Sequence, residues 1–293
     1  MRKIAVSFIL LTLLAAGVLA QNPPTLRIVT EDPTLPSELF YGDIKVKPLR
    51  LRPGTNPPVR ITIDDSDFFV QQHYVDFLSR FPEQSGFNAW MNVLNACAVG
   101  DAACLHEARI TTSAAFFGSQ EFQLKGYYVF RFYRASLNRL PDYPEMVADM
   151  RAVTGATADE VNQKRTAFAT NWVLRTDFLA SFPRDMAAAA FVDGISLRAG
   201  ITVANHDQIV AALNANNTDL GRSVALRAIV ESPEEFNKEY NSAFVFIEYV
   251  GYLRRAPEPQ GYSAWLTYLN AHPTDSRTMV WGFMDSIEYR NRF

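Results

Sequence analysis

Only 2 Cys and 4 His occur among 293 residues, too few for a disulfide-dense miniprotein or a four-cysteine zinc site. A basic excess is missing as well. The 28 Lys+Arg stand against 31 Asp+Glu, so the charge balance offers nothing to neutralise the phosphates of a nucleic acid. Long apolar runs are absent after residue 19, and no later segment approaches the about 20 residues that a bilayer requires. What the chain does have is apolar and aromatic bulk, 48% and 13% of residues, which excludes a compositionally disordered chain and predicts a packed core.

The amino terminus reads as a targeting segment. Arg2 and Lys3 precede an uncharged apolar stretch from Ile4 to Leu19, and Val18-Leu19-Ala20 places compact residues at the positions a signal peptidase reads. Cleavage after Ala20 is expected, giving a secreted protein, periplasmic or extracellular, that spans no membrane after cleavage. A retained anchor is the alternative. In an oxidising compartment Cys97 and Cys104, flanking a Gly100-Asp101 turn, can form a disulfide that fixes a helix-to-helix connection. A redox pair or half of a metal site remains open, although redox pairs favour C-x-x-C spacing.

Internal repeats decide the architecture. Phe69 to Ala96 aligns without gaps onto Phe244 to Ala271, 175 positions later, and fourteen of the twenty-eight pairs are identical. In the first copy the shared positions include Tyr74, Arg80, Pro82, Glu83, Gly86 and Trp90, and in the last copy Tyr249, Arg255, Pro257, Glu258, Gly261 and Trp265. A third copy keeps Tyr133, Arg139, Pro141 and Asp142 but has Glu145 and Asp149 where Gly and Trp are expected, and a decayed fourth begins near Phe191. Spacing in the fifties points to stacked supersecondary units. Within a unit the apolar stripe Phe69, Val70, His73, Tyr74, Phe77, Leu78 is helical. Each Arg-x-Pro then ends a helix, because the residue before Pro is pushed out of the α region, and serine caps open the next, as a capping box at Ser232-Pro233-Glu234-Glu235 and as the related Ser-x-Glu-aromatic at Ser119 and Ser286.

The fold class expected is therefore all-α: tandem helical repeat units, helix-turn-helix based, after an extended and partly β amino-terminal arm. The divisions are a signal peptide over 1–20, a Pro-rich arm over 21–65, unit 1 over 66–122, unit 2 over 123–182, a degenerate unit 3 over 183–236 and unit 4 over 237–293. Strand-like alternation in the arm falls at Leu26–Val29, Ile44–Lys47 and Val59–Ile63.

The pattern F-V-x-x-x-Y-x-x-x-L-x-R-x-P-E-x-x-G-x-x-x-W, closed by S-x-E-[FY], resembles domain of unknown function 4214, found in tandem copies in exported bacterial proteins. The layout as a whole is similar to a secreted type common in acidobacteria. The resemblance spans about 225 residues and implies an all-helical fold; it implies no activity that can be carried over residue by residue.

Catalytic motifs fail on inspection. His106-Glu107-Ala108-Arg109-Ile110 has Ile where a second zinc ligand must stand, and Gly261-Tyr262-Ser263-Ala264-Trp265 ends in Trp where a nucleophile elbow needs Gly. His73 lies on an apolar stripe and reads as a core histidine. Asp64, Asp65 and Asp67 are weak Ca²⁺ candidates, more simply read as helix-start residues favoured by the dipole. The arginines before Pro read as structural partners of the acid after it, the tryptophans as core, and Glu231, Glu234, Glu235 and Glu239 as solvated helix-start carboxylates. No cofactor is expected beyond possible Ca²⁺. The function expected is a non-catalytic interaction or envelope module whose partner is a protein or glycan of the cell envelope. An envelope enzyme or carbohydrate-binding accessory protein, and a calcium-dependent surface assembly protein, are the alternatives; oligomeric state is left open.

Overall fold

A computed structural model describes residues 52, 54–57 and 59–293, together with the backbone of three short strands, Leu26–Val29, Glu38–Tyr41 and Ile44–Val46. The strands pair antiparallel in chain order, with Arg27 opposite Phe40 and Phe40 opposite Lys45. The segment over 1–20 lies outside the described residues. The stretch over 59–63 alternates as strands do, yet it forms no strand of this sheet. It runs into a tight turn in which Asp65 N–H donates to Thr62 O and the Asp65 carboxylate accepts from Thr62 N–H. That turn takes up both backbone groups of Thr62, and within the stretch Arg60 makes only an isolated bridge.

From residue 66 onward the described chain is all-α. Helices Ser66–Leu78, Gln84–Asn95 and Ala102–Gly118 come first, and Cys97–Cys104 bridges the connection between the second and third. A long helix then runs over 120–137, and two of its turns, Gln123–Tyr127 and Tyr133–Leu137, are π-helical. Pro233–Glu248 likewise continues into a π-helical turn at Tyr249–Leu253. The extra residue in each such turn redirects the side chains that follow, a feature common at special sites. All these elements share one apolar core, in which Phe69, Phe117, Tyr128, Phe132, Phe246 and Tyr252 are at most 1% exposed.

Two packings position the ends of the helical region. Ala102–Gly118 lies against Ser276–Met284, and Ser66–Leu78 against Tyr249–Leu253, so the beginning and end of the chain's helices meet. At that contact the Asp76 carboxylate, 2% exposed, accepts from Arg254 Nη2 at 3.2 Å and Arg292 Nη2 at 2.9 Å. Arg292 Nη1 also donates to the carbonyls of Gly251 and Tyr252.

His73 is fully buried and its ring nitrogens contact Phe69 O at 2.9 Å and Ser113 Oγ at 2.8 Å. Burial pushes it down to about 4, so the ring is neutral near neutrality.

Candidate functional site

The site is built on a turn that occurs three times. Helix ends at Ser79, Asn138 and Arg254 take a left-handed backbone (φ 54°, 50° and 53°), although none is glycine. The stop assigned from the sequence to the prolines belongs to these residues instead. Pro82, Pro141 and Pro257 each stand three positions further on, in the irregular link between helices. Pro257 is half-buried there, and it is Pro259 that takes the first position of the helix Pro259–Ala271. The prolines fix the backbone of the link and keep its preceding residue extended.

The left-handed residue swings the chain back across the last helical turn, and the arginine that follows lands on the face of a tyrosine from that turn. Arg80 Cζ is 4.9 Å from the Tyr74 ring centroid, Arg139 is 4.9 Å from Tyr133, and Arg255 is 5.1 Å from Tyr249.

Carboxylates close each latch. Arg80 Nη1 donates to Glu83 Oε2 at 2.5 Å, while its Nε and Nη2 grip both oxygens of Glu121 at 2.8 and 2.7 Å. Arg255 repeats this with Glu258 at 2.6 Å and Glu288 at 2.6 and 3.0 Å. Glu121 and Glu288 stand two residues after Ser119 and Ser286, whose hydroxyls accept from Phe122 N–H and Tyr289 N–H and so start the next helix. Each latch thus ties a helix end to a later helix start. Burial alone would raise the Glu121 carboxyl, but the bonds from Arg80 and Lys125 hold it below its ordinary value.

The repeated glycine follows from this geometry. A Cβ on Gly86 would collide with the Tyr74 hydroxyl and the Glu83 carboxylate, and one on Gly261 with those of Tyr249 and Glu258. The middle latch is rewired. Asp142 does not pair with Arg139, as the sequence suggests; its shorter side chain caps the helix Tyr143–Ala152, accepting from Glu145 N–H at 2.7 Å. Glu145, in the place of the glycine, takes Arg139 bidentately at 2.6 and 2.7 Å, and Asp149, in the place of the tryptophan, accepts from the Tyr133 hydroxyl at 2.6 Å. Gly261→Ala is expected to destabilise the protein by about 1–3 kcal/mol through overpacking. Gly118→Ala, which meets nothing within 4 Å, should be neutral or slightly stabilising; paired thermal melts check both.

Trp90 and Trp265 are only half-buried, packed on the core from outside at 5.6 Å from Phe116 and 6.0 Å from Phe283. The acidic cluster is occupied by arginines. Asp65 and Asp67 bind Arg52 at 3.0 and 2.6 Å, and Asp64 binds Arg290 at 2.6 Å and Arg109 at 3.5 Å. Asp65 holds the N-cap position without a capping bond, because its carboxylate turns back to Thr62. Among the described residues, no group of three His, Cys, Asp or Glu side chains is placed to hold a metal ion.

A further correction concerns the helix-start carboxylates. Glu235 is 0% and Glu239 4% exposed, while Glu231 is bonded to Arg165 and Arg227. Ser232 caps through Glu235 N–H, but the Glu235 carboxylate does not return the bond, and both its oxygens are buried without a partner. Burial, with the nearby Glu239 adding, pushes Glu235 up to about 8. Sequence periodicity could not show that this first turn faces Arg131 and Arg134 of the 120–137 helix rather than water.

Beside the first latch lies a cavity of about 570 Å³, between Arg80-Phe81-Pro82-Glu83 and the segment 155–161 that opens the helix Ala158–Trp172. Lys125, fully buried beneath it, donates to Glu121 at 2.5 Å. Lys125 was missed although a signal was there: a basic residue stands six positions after each serine cap, Lys125 after Ser119, Lys238 after Ser232 and Arg292 after Ser286.

Latch, cap and glycine together occur intact over the last helices. Residues 226–293 match the domain of unknown function DUF4214. The DUF4214 segment holds Tyr249, Arg255, Pro257, Glu258, Gly261 and Glu288, the complete set of one latch, whereas the latches at Arg80 and Arg139 lie outside the matched residues. No curated protein and no solved structure matches the chain. Among the described residues, no helix is long and apolar enough to cross a membrane.

Proposed function

We propose that the chain is an exported, non-catalytic helical-repeat protein serving as an interaction module of the cell surface or envelope. The observation that carries this reading is the use to which the recurring charged residues are put. Arg80, Arg139 and Arg255 and their carboxylates are bonded to one another, so the repeated motif serves the turns and not a reaction. The same latch at Arg80 and Arg255 supports treating residues 66–122 and 237–293 as copies of one DUF4214-like unit, with 123–182 a rewired copy and 183–236 a decayed one. Repeated units build broad surfaces suited to binding.

Export is tested by sequencing the amino terminus of the protein recovered outside the cytoplasm. Gln21 is the expected first residue. For function, the chain from residue 21 is mixed with isolated envelopes and with a panel of glycan and peptide substrates. Sedimentation with envelopes and no turnover is expected. Turnover that one substitution abolishes while the fold survives would overturn the non-catalytic reading. The three arginines on the acidic cluster argue against calcium-dependent assembly, and an equal melting temperature in Ca²⁺ and in chelator is the expected result.

A further inference from the structure

The residue between Arg and Pro differs in all three latches. It is Phe81 in the first, Leu140 in the second and Ala256 in the last, so the turn itself requires no aromatic ring. Phe81 is nevertheless 56% exposed, and no other phenylalanine side chain among the described residues is exposed. With Pro82 it forms an apolar wall of the cavity of about 570 Å³, a volume that suits a small ligand.

The remaining lining selects the chemistry. Arg80 and Lys125 face Glu83 and Glu121, two cations against two carboxylates already in contact. A charged ligand would have to break one of these pairs, at the cost of leaving its partner unpaired. A hydroxyl breaks nothing: it accepts from a spare guanidinium N–H and donates to a carboxylate oxygen. Gln120, exposed at the rim, offers a further donor and acceptor from one planar group. An exposed ring provides the flat apolar surface on which the C–H face of a sugar lies.

We propose that this cavity binds a neutral saccharide unit, stacked on Phe81 and hydrogen-bonded by the Arg80–Glu121 pair and Gln120. The proposal rests on the reading of the chain as a non-catalytic binding module. The test is amide NMR of the chain from residue 21, titrated with cellobiose, maltose and chitobiose, and separately with an acidic galacturonate disaccharide. Saturable shifts confined to residues 80–83, 120–125 and 155–161 are expected with a neutral sugar. Phe81→Leu, which gives the first latch the residue type that the second carries at Leu140, should weaken binding about tenfold or more with an unchanged melting temperature. Shifts located elsewhere, equal affinity in the Phe81→Leu variant, preference for the acidic sugar, or no shift with any neutral disaccharide would each overturn the site. The last result would leave a protein partner in the envelope standing. Hydrolysis of a bound sugar would instead overturn the non-catalytic reading and leave the site intact.

Discussion

Asp76→Ala is expected to lower the unfolding free energy by about 3–5 kcal/mol, the range for removing one partner of a buried ion pair. The carboxylate is shared by Arg254 and Arg292, which are 13% and 8% exposed, and its loss takes one acceptor from Arg254 and leaves the buried Arg292 guanidinium without this counter-charge. Burial by itself would raise the Asp76 carboxyl, but the two arginines outweigh it and hold the group below its ordinary value. The stabilisation is therefore present above the unfolded-state value and is lost as the pH falls through the lower, folded-state one. Urea titration is the direct measurement: the midpoint should fall with little change in slope. A loss under about 1 kcal/mol would mean that the pair is broken or hydrated in solution.

Glu235→Gln should act in the opposite sense and in a pH-dependent way. The native carboxyl stands near 8 against 4.5 in a free glutamate. Between those values the native state holds a proton that the unfolded state releases, so stability falls by about 1.4 kcal/mol per pH unit as pH rises. The amide removes that term, and the advantage of the variant over the parent should widen steadily from pH 4.5 to 8. His73 contributes the reverse slope. Held at about 4 against 6.5, it makes stability rise with pH across that interval. From pH 4.5 to 6.5 the two terms oppose each other in the parent, and the buried Glu248, also held well above its ordinary value by burial, adds to the falling slope, so the effect of Glu235→Gln is read from the difference between the variant and parent curves. A difference curve that is flat with pH would show that Glu235 is ionised and solvated in the native state.

The helices were legible in the sequence because their signals are local. The stripe from Phe69 to Leu78 and the serine caps each depend on residues within one or two turns, and the chain is helical where they predict it. What was not legible depends on a partner far away. Nothing near Arg80 says that Glu121, 41 positions on, completes its coordination, and the first turn of Pro233–Glu248 looks solvated until the 120–137 helix covers it. The left-handed residues were hidden for a different reason. Ser79 and Arg254 carry no glycine signature, and only Asn138 is a residue type enriched there, so the prolines three positions later drew the helix boundary too far along. The disulfide position could be read because the two cysteines flank one short helix-to-helix connection, seven positions apart.

The meeting of the first and last helices also sets an order of events. Asp76 and Arg292 are 216 positions apart, so a loop of nearly the whole helical region must close before the aspartate finds its charge partner, at an entropic cost that local helices never incur. Until the last residues have been made, the Ser66–Leu78 helix has nothing to dock against at this face. Intermediate helices can form early and quickly, whereas this closure belongs among the slow, late contacts that govern the rate for topologies of high sequence separation. A nascent chain can pack Ser66–Leu78 on the helices that directly follow it, but this one face stays uncovered until residues 249–292 have emerged.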